Sequence, residues 1–128
     1  MRLLLDTHAF LWFIIGSANL SANARARIED PSSDRLLSAA SLWEIAIKTS
    51  LGKLTLSAPF DELFPAQLNL NGIELLSIKV DHLSALATLP FHHRDPFDRL
   101  IIAQTIVEKI PVVSIDAAFD AYGVTRNW

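Results

Sequence analysis

The residues best suited to chemistry are four acids set at recurring places along the chain. Asp6 follows the apolar run Leu3-Leu4-Leu5, and Asp116 follows Val112-Val113-Ser114-Ile115. Glu44 falls in the first turn of a helix that the sequence starts at Ser41. Asp98 falls in the first turn of a helix from Phe97 to Lys109. Carboxylates gathered without a thiol or clustered histidines suit a hard cation, Mg2+ or Mn2+. Each acid alone also has a plain capping reading. Ser41-Leu42-Trp43-Glu44 matches the capping box S-x-x-E. Asp95-Pro96-Phe97-Asp98 reads as an N-cap, a first-turn proline and an acid at the positive helix end. Asp6 and Asp116 fit as caps of the helices that follow them. Taken together the acids favour metal: on one rim they repel one another, and neutral Ser, Thr or Asn would cap without that cost.

The elements that must position them alternate along the chain. Short apolar strands are predicted at Leu3–Leu5, Leu36–Ser38, Ile73–Ile78 and Ile110–Ile115, with an edge strand at Val124–Trp128. Between them lie helical stretches at Ala9–Ile15, Ser21–Asp30, Leu42–Leu51, Pro59–Leu68, Asp81–Leu89 and Phe97–Lys109, and a final short helix from Asp116. Strands separated by helices imply a mostly parallel sheet of four to five short strands covered on both faces. In such sheets ligands bind beyond the carboxyl ends of the strands, where these acids fall.

At 128 residues, without repeat or linker, residues 1–128 read as a single domain. With 51% hydrophobic and 20% charged residues, the chain is not a disordered or solvated arm. The net charge of −3 excludes a globally basic nucleic-acid binder but leaves room for a basic patch. The lack of cysteine removes disulfide scaffolds, Cys-ligated zinc, iron–sulfur clusters and Cys nucleophiles. Met1-Arg2 and the apolar Ala9–Ile15 are superficially signal-like, but Asp6-Thr7-His8 splits the stretch and it is too short to span a bilayer. The expectation is a compact cytoplasmic domain.

The chain resembles the PIN-domain nucleases and, among them, the VapC-type toxins of bacterial toxin–antitoxin pairs. The matching segments are Leu4-Leu5-Asp6-Thr7-His8, Ser41-Leu42-Trp43-Glu44-Ile45-Ala46-Ile47-Lys48, His93 through Gln104, and Ser114-Ile115-Asp116-Ala117-Ala118-Phe119. The resemblance carries the family's acids onto Asp6, Glu44, Asp98 and Asp116, as catalytic and metal-ligating residues. It implies an α/β/α sandwich, a metal-dependent endoribonuclease, a homodimer or larger assembly, and an antitoxin that covers the site. One or two divalent ions held there would activate a water and stabilise charge on the phosphate.

Around the acids, Thr7 and Ser114 are candidates to orient a carboxylate, a water or the substrate, or are ordinary turn hydroxyls. Arg99 is a candidate phosphate contact or an exposed, solvated first-turn residue. Arg94 and His93 are candidate RNA contacts, and two adjacent histidines alone do not make a zinc motif. Asp95 reads as a cap, with support of a metal ligand as the alternative; Asp120, one turn beyond Asp116, reads as a surface residue or as reaching the same site; His8 reads as packed. Trp12, Phe13, Ile14, Ile15, Trp43 and Ile47 read as core, with a dimer face or antitoxin groove as the alternative.

Other function classes fit poorly. A receiver-like signalling domain wants paired acids after its first strand and a late strand-end Lys, and neither is present. A D-x-D phosphatase fails because His8 stands two residues after Asp6. Dinucleotide sites, P-loops and esterase elbows lack their glycine patterns. A non-catalytic PIN-like binding module stays open, although all four acids are present.

Overall fold

A computed structural model describes residues 1–128. The elements run β1 (Arg2–Leu5), α1 (Thr7–Ile15), α2 (Ala22–Glu29), β2 (Asp34–Ser38), α3 (Ala39–Ser50), α4 (Phe60–Leu70) and β3 (Ile73–Leu76). They continue with α5 (Val80–Ala87), α6 (Pro96–Glu108), β4 (Val112–Val113), a 3-10 helix (Ala117–Tyr122) and β5 (Arg126–Asn127). The sheet has five strands in the order β3-β2-β1-β4-β5, and every pairing is parallel. The expected mostly parallel sheet is therefore wholly parallel. No helix is long and apolar enough to cross a membrane.

Alternation along the central strands builds two cores. Leu3 and Leu5 of β1, Leu37 of β2 and Val113 of β4 pack with Phe10, Ile28, Ile45 and Phe64 from α1 to α4. Leu4, Leu36 and Val112 face the other way, onto Ile101 and Ile102 of α6 and Phe119 of the 3-10 helix. This is an α/β/α sandwich. Each buried leucine is worth about 1.5–3 kcal/mol over an exposed one. A one-residue slip would exchange the two faces, so the register is fixed and with it the height at which each strand ends.

The chain steps from β1 outward to β2 and β3, then returns to the other side of β1 for β4 and β5. The direction of winding reverses between β1 and β4, so a crevice opens at their carboxyl ends. The Asp6 amide donates to the Val113 carbonyl at 3.1 Å and ties the two ends together.

Some boundaries differ from the sequence reading. Helix α3 starts at Ala39, not after Ser41, because Ser38 ends β2 and caps the helix at once, its Oγ accepting from the Ala40 amide at 3.0 Å. Strand β4 is Val112–Val113 rather than Ile110–Ile115. Lys109 takes a left-handed turn (φ 56°) to close α6, Pro111 has no amide proton to pair, and Ile115 is exposed. Strand β3 stops at Leu76, and the last helix is a 3-10 helix.

Phe10 is fully buried one turn beyond Asp6. Phe10→Ala is expected to lower stability by about 3–5 kcal/mol, read from urea unfolding. A loss below about 1 kcal/mol would mean that α1 is not anchored by this ring.

Candidate metal centre

Asp6 leaves β1 and is buried. Its Oδ1 accepts the Ala9 amide at 2.7 Å and caps α1. Asp116 leaves β4 through Ser114, whose Oγ accepts the Asp116 amide at 3.0 Å. Asp116 Oδ1 accepts the Ala118 amide at 2.9 Å and caps the 3-10 helix. Asp116 Oδ2 lies 3.1 Å from His93 Nε2. One oxygen of Asp116 thus holds a helix while the other meets the cluster, and capping and site readings are both satisfied.

The two remaining acids are not caps. At the start of α6 the cap is Asp95, whose Oδ1 accepts the amides of Phe97 at 2.9 Å and Asp98 at 3.1 Å. That leaves the Asp98 carboxylate free, with Oδ2 3.0 Å from His93 Nε2. Glu44 lies in the second turn of α3, not the first, so the Ser41 capping box does not form. Its Oε1 instead accepts the Thr7 hydroxyl at 2.8 Å, and Ser41 Oγ lies 3.0 Å from Thr7 Oγ1. Lys48, one turn further on, donates to Glu44 Oε2 at 2.7 Å.

Burial drives the electrostatics. It pushes the Asp98 carboxyl up to about 7, with the charges of Asp95, Glu44 and Asp6 adding to it and the His93 ring opposing. Burial also raises Asp6, with a smaller contribution from Asp116, while Ser114 and the Ala9 amide pull the other way. The acids therefore sense one another and crowd negative charge into a desolvated crevice. Donor atoms of His93, Asp98 and Asp116 all lie within 4.8 Å of one another. Asp6 and Glu44 flank this group and act on Asp98 through their charge. Converging, partly desolvated carboxylate oxygens fit a hard divalent cation.

The remaining candidates take these positions. Arg99 is buried rather than exposed: it donates to the carbonyls of Pro90 at 2.8 Å, Leu89 at 3.1 Å and His93 at 3.4 Å. Its guanidinium also stacks on Phe91, 3.9 Å from the ring centre. Thr7 and Ser114 are buried: the Thr7 hydroxyl donates to Glu44, and Ser114 accepts the Asp116 amide and hydrogen-bonds the Asp6 carboxyl. Asp120 pairs with Arg126 at 2.9 and 3.1 Å and lies outside the cluster. Arg94 is exposed on the loop before α6, as a substrate contact requires. His8 is exposed rather than packed. Trp43 is exposed too, its ring edge-on to Phe97 at 5.1 Å.

The sequence reading missed His93 as a member of the cluster and Lys48 as the partner of Glu44. The Glu44–Lys48 spacing of four on a helix was a signal for the second; the first depends on a loop that no periodicity describes. Beside Glu44 opens a cleft of about 600 Å³, lined by Leu11, Trp12, Leu54 and Leu63 and by His8 and Lys48.

A family model described as PIN domain matches residues 3–124. No curated protein sequence matches the chain. Among solved structures, VapBC2 from Rickettsia felis bound to a DNA fragment from its promoter is similar with TM-score 0.70 at 14% identity, over 98% of this chain and 97% of that one. VapBC-1 from nontypeable Haemophilus influenzae gives 0.68 at 14%, over 98% and 96%. FitAcB from Neisseria gonorrhoeae gives 0.60 at 18%, over 97% and 95%. At these identities the likeness is one of fold.

Two outcomes follow from the site. Folded Asp98 holds its proton to about 7, against 3.8 for the ordinary carboxyl. Between those values the folded state binds more protons than the unfolded one, so metal-free stability falls as pH rises through this window and stays lower above it. Asp98→Asn removes this loss, so in EDTA its urea midpoint should gain on the wild type between pH 4 and pH 8. An equal difference at both pH values would place Asp98 at an ordinary carboxyl pKa. Arg99→Met, which keeps bulk but leaves three carbonyls without their donor, should cost about 2–4 kcal/mol in urea unfolding; a neutral effect would return Arg99 to the surface.

Proposed function

The chain belongs to the PIN-domain family, and from that premise we propose that it is a divalent-metal-dependent endoribonuclease, the toxin of a toxin–antitoxin pair. The observation that carries this reading is the convergence of Asp98 and Asp116 in a crevice that Asp6 and Glu44 also charge. When bound, Mg2+ or Mn2+ supplies acidity to a water and positive charge to the phosphate oxygens. Asp6, Asp98 and Asp116 would hold the ion, each from a different chain segment and the first and last from adjacent strand ends. Glu44 completes the set, fixed in direction by Thr7 and Lys48. Exposed Arg94 and half-exposed Lys48 offer cations to the phosphate backbone of an RNA strand.

The partners follow the same reasoning. The apolar cleft beside Glu44 suits a segment of an antitoxin, which would cover the acids as it filled the groove. The similar structures of VapBC2 and VapBC-1 are toxin–antitoxin complexes, which supports this assignment. Exposed Leu75 on β3 and Val80 and Leu83 on α5 offer apolar surface for a homodimer or larger homo-oligomer. An RNA substrate and an antitoxin partner would both be met in the cytoplasm. The sheet order speaks against a receiver-like domain, since flavodoxin-like sheets run 2-1-3-4-5.

The test is a folded RNA pool incubated with purified protein. Cleavage is expected with Mg2+ or Mn2+ and none in EDTA. Asp6→Asn keeps an N-cap side chain and should fold normally while losing at least about a hundredfold in cleavage rate. Metal binding by a folded wild type that cuts no RNA in the pool would favour the non-catalytic binding module.

A further inference from the structure

His93 lies between two of the acids rather than out on the RNA-facing surface. Its Nε2 lies 3.0 Å from Asp98 Oδ2 and 3.1 Å from Asp116 Oδ2. Its other nitrogen, Nδ1, accepts the backbone amide of Asp95 at 3.3 Å. An amide proton aimed at Nδ1 requires a lone pair there, so the ring proton is on Nε2 and points at the two carboxylates. In this tautomer Nε2 has no lone pair to give a metal. The imidazole is a donor to the acids and fills the space between the oxygens that a cation would join.

The backbone of the residue is held independently of the ring. The His93 amide donates to the Tyr122 hydroxyl at 2.8 Å, and that hydroxyl donates to the Pro90 carbonyl at 2.8 Å. Arg99 binds the His93 carbonyl and those of Leu89 and Pro90. The loop therefore stays in place while the side chain turns about its own bonds. The ring is half-buried and stands edge-on to Phe119, 6.3 Å between centres, with part of its surface open to solvent.

We propose that the His93 imidazole is an internal gate on the metal centre, bridging Asp98 and Asp116 in the metal-free protein and swinging out when a divalent cation enters. This inference rests on the reading of the acids as a metal site. The bridge satisfies two carboxylates that would otherwise face each other, so it stabilises the empty centre and competes with the cation.

The test is a Mn2+ titration of metal-free protein, read by the electron paramagnetic resonance signal of free Mn2+, for the wild type, His93→Ala and His93→Phe. The phenylalanine variant preserves the packing on Phe119 and guards against loss of fold, which circular dichroism checks. Both variants should bind Mn2+ about tenfold tighter than the wild type, the hydrogen bonds to charged groups no longer having to break. In the wild-type complex, electron spin-echo spectra should show no directly coordinated nitrogen. Weaker binding by the variants, or a coordinated-nitrogen coupling lost on substitution, would make His93 a ligand and overturn the gate while leaving the metal site standing. Unchanged affinity would overturn the gate as well. Absence of Mn2+ binding by all the proteins, wild type included, would overturn the metal reading itself and the gate with it.

Discussion

The structure turns on one arrangement: β1 lies between β2 and β4 with both faces buried. Because Leu3, Leu4 and Leu5 are all consumed by the two cores, the strand cannot shift, and Asp6 emerges at one fixed height beside the end of β4. The Asp6 amide bond to Val113 closes this junction. Glu44 is brought to that point by α3, which begins at the end of β2, and Asp98 and His93 by α6 and the loop before it. Burial makes the charges costly, which is visible in the raised Asp98 and Asp6 carboxyls. The fold therefore spends core stability to hold repelling groups together.

The acids also resolve an apparent choice between structure and chemistry. A carboxylate has two oxygens, and Asp116 gives one to a helix N-terminus and the other to the cluster. At α6 the labour is split between neighbours, Asp95 capping and Asp98 left free. Glu44 is held by a hydroxyl and an ammonium rather than by backbone. Capping arguments made residue by residue cannot separate these cases, because they ask which role a side chain has and not which atom fills it.

Much of this was legible in the sequence. Strong apolar runs followed by acids gave the parallel sheet and the rim at which Asp6 and Asp116 appear, since burial on both faces and a strand end are local signals. Boundaries failed where one residue did two jobs: Ser38 ends a strand and caps a helix, so the conspicuous Ser41–Glu44 pattern pointed to the wrong cap. Arg99 failed for a different reason. A charged residue beside an acid reads as surface or substrate contact, and its burial depends on three carbonyls six to ten residues earlier that two nitrogens of the guanidinium fork satisfy. His93 depends on the same loop, whose path is set by Arg99 and Tyr122 and by no repeat in the chain.

Asp95, Asp98 and Arg99 lie within a single turn at the mouth of α6, and each faces a different neighbour: the helix's own amides, the acid cluster, and the preceding loop. Successive helical residues are rotated by about 100°. Adding or deleting one residue inside this turn would redirect all three side chains at once, removing cap, ligand and clamp together. The segment should therefore accept replacements at its exposed positions while keeping its length unchanged through descent. Variation in length has to be accommodated outside this turn.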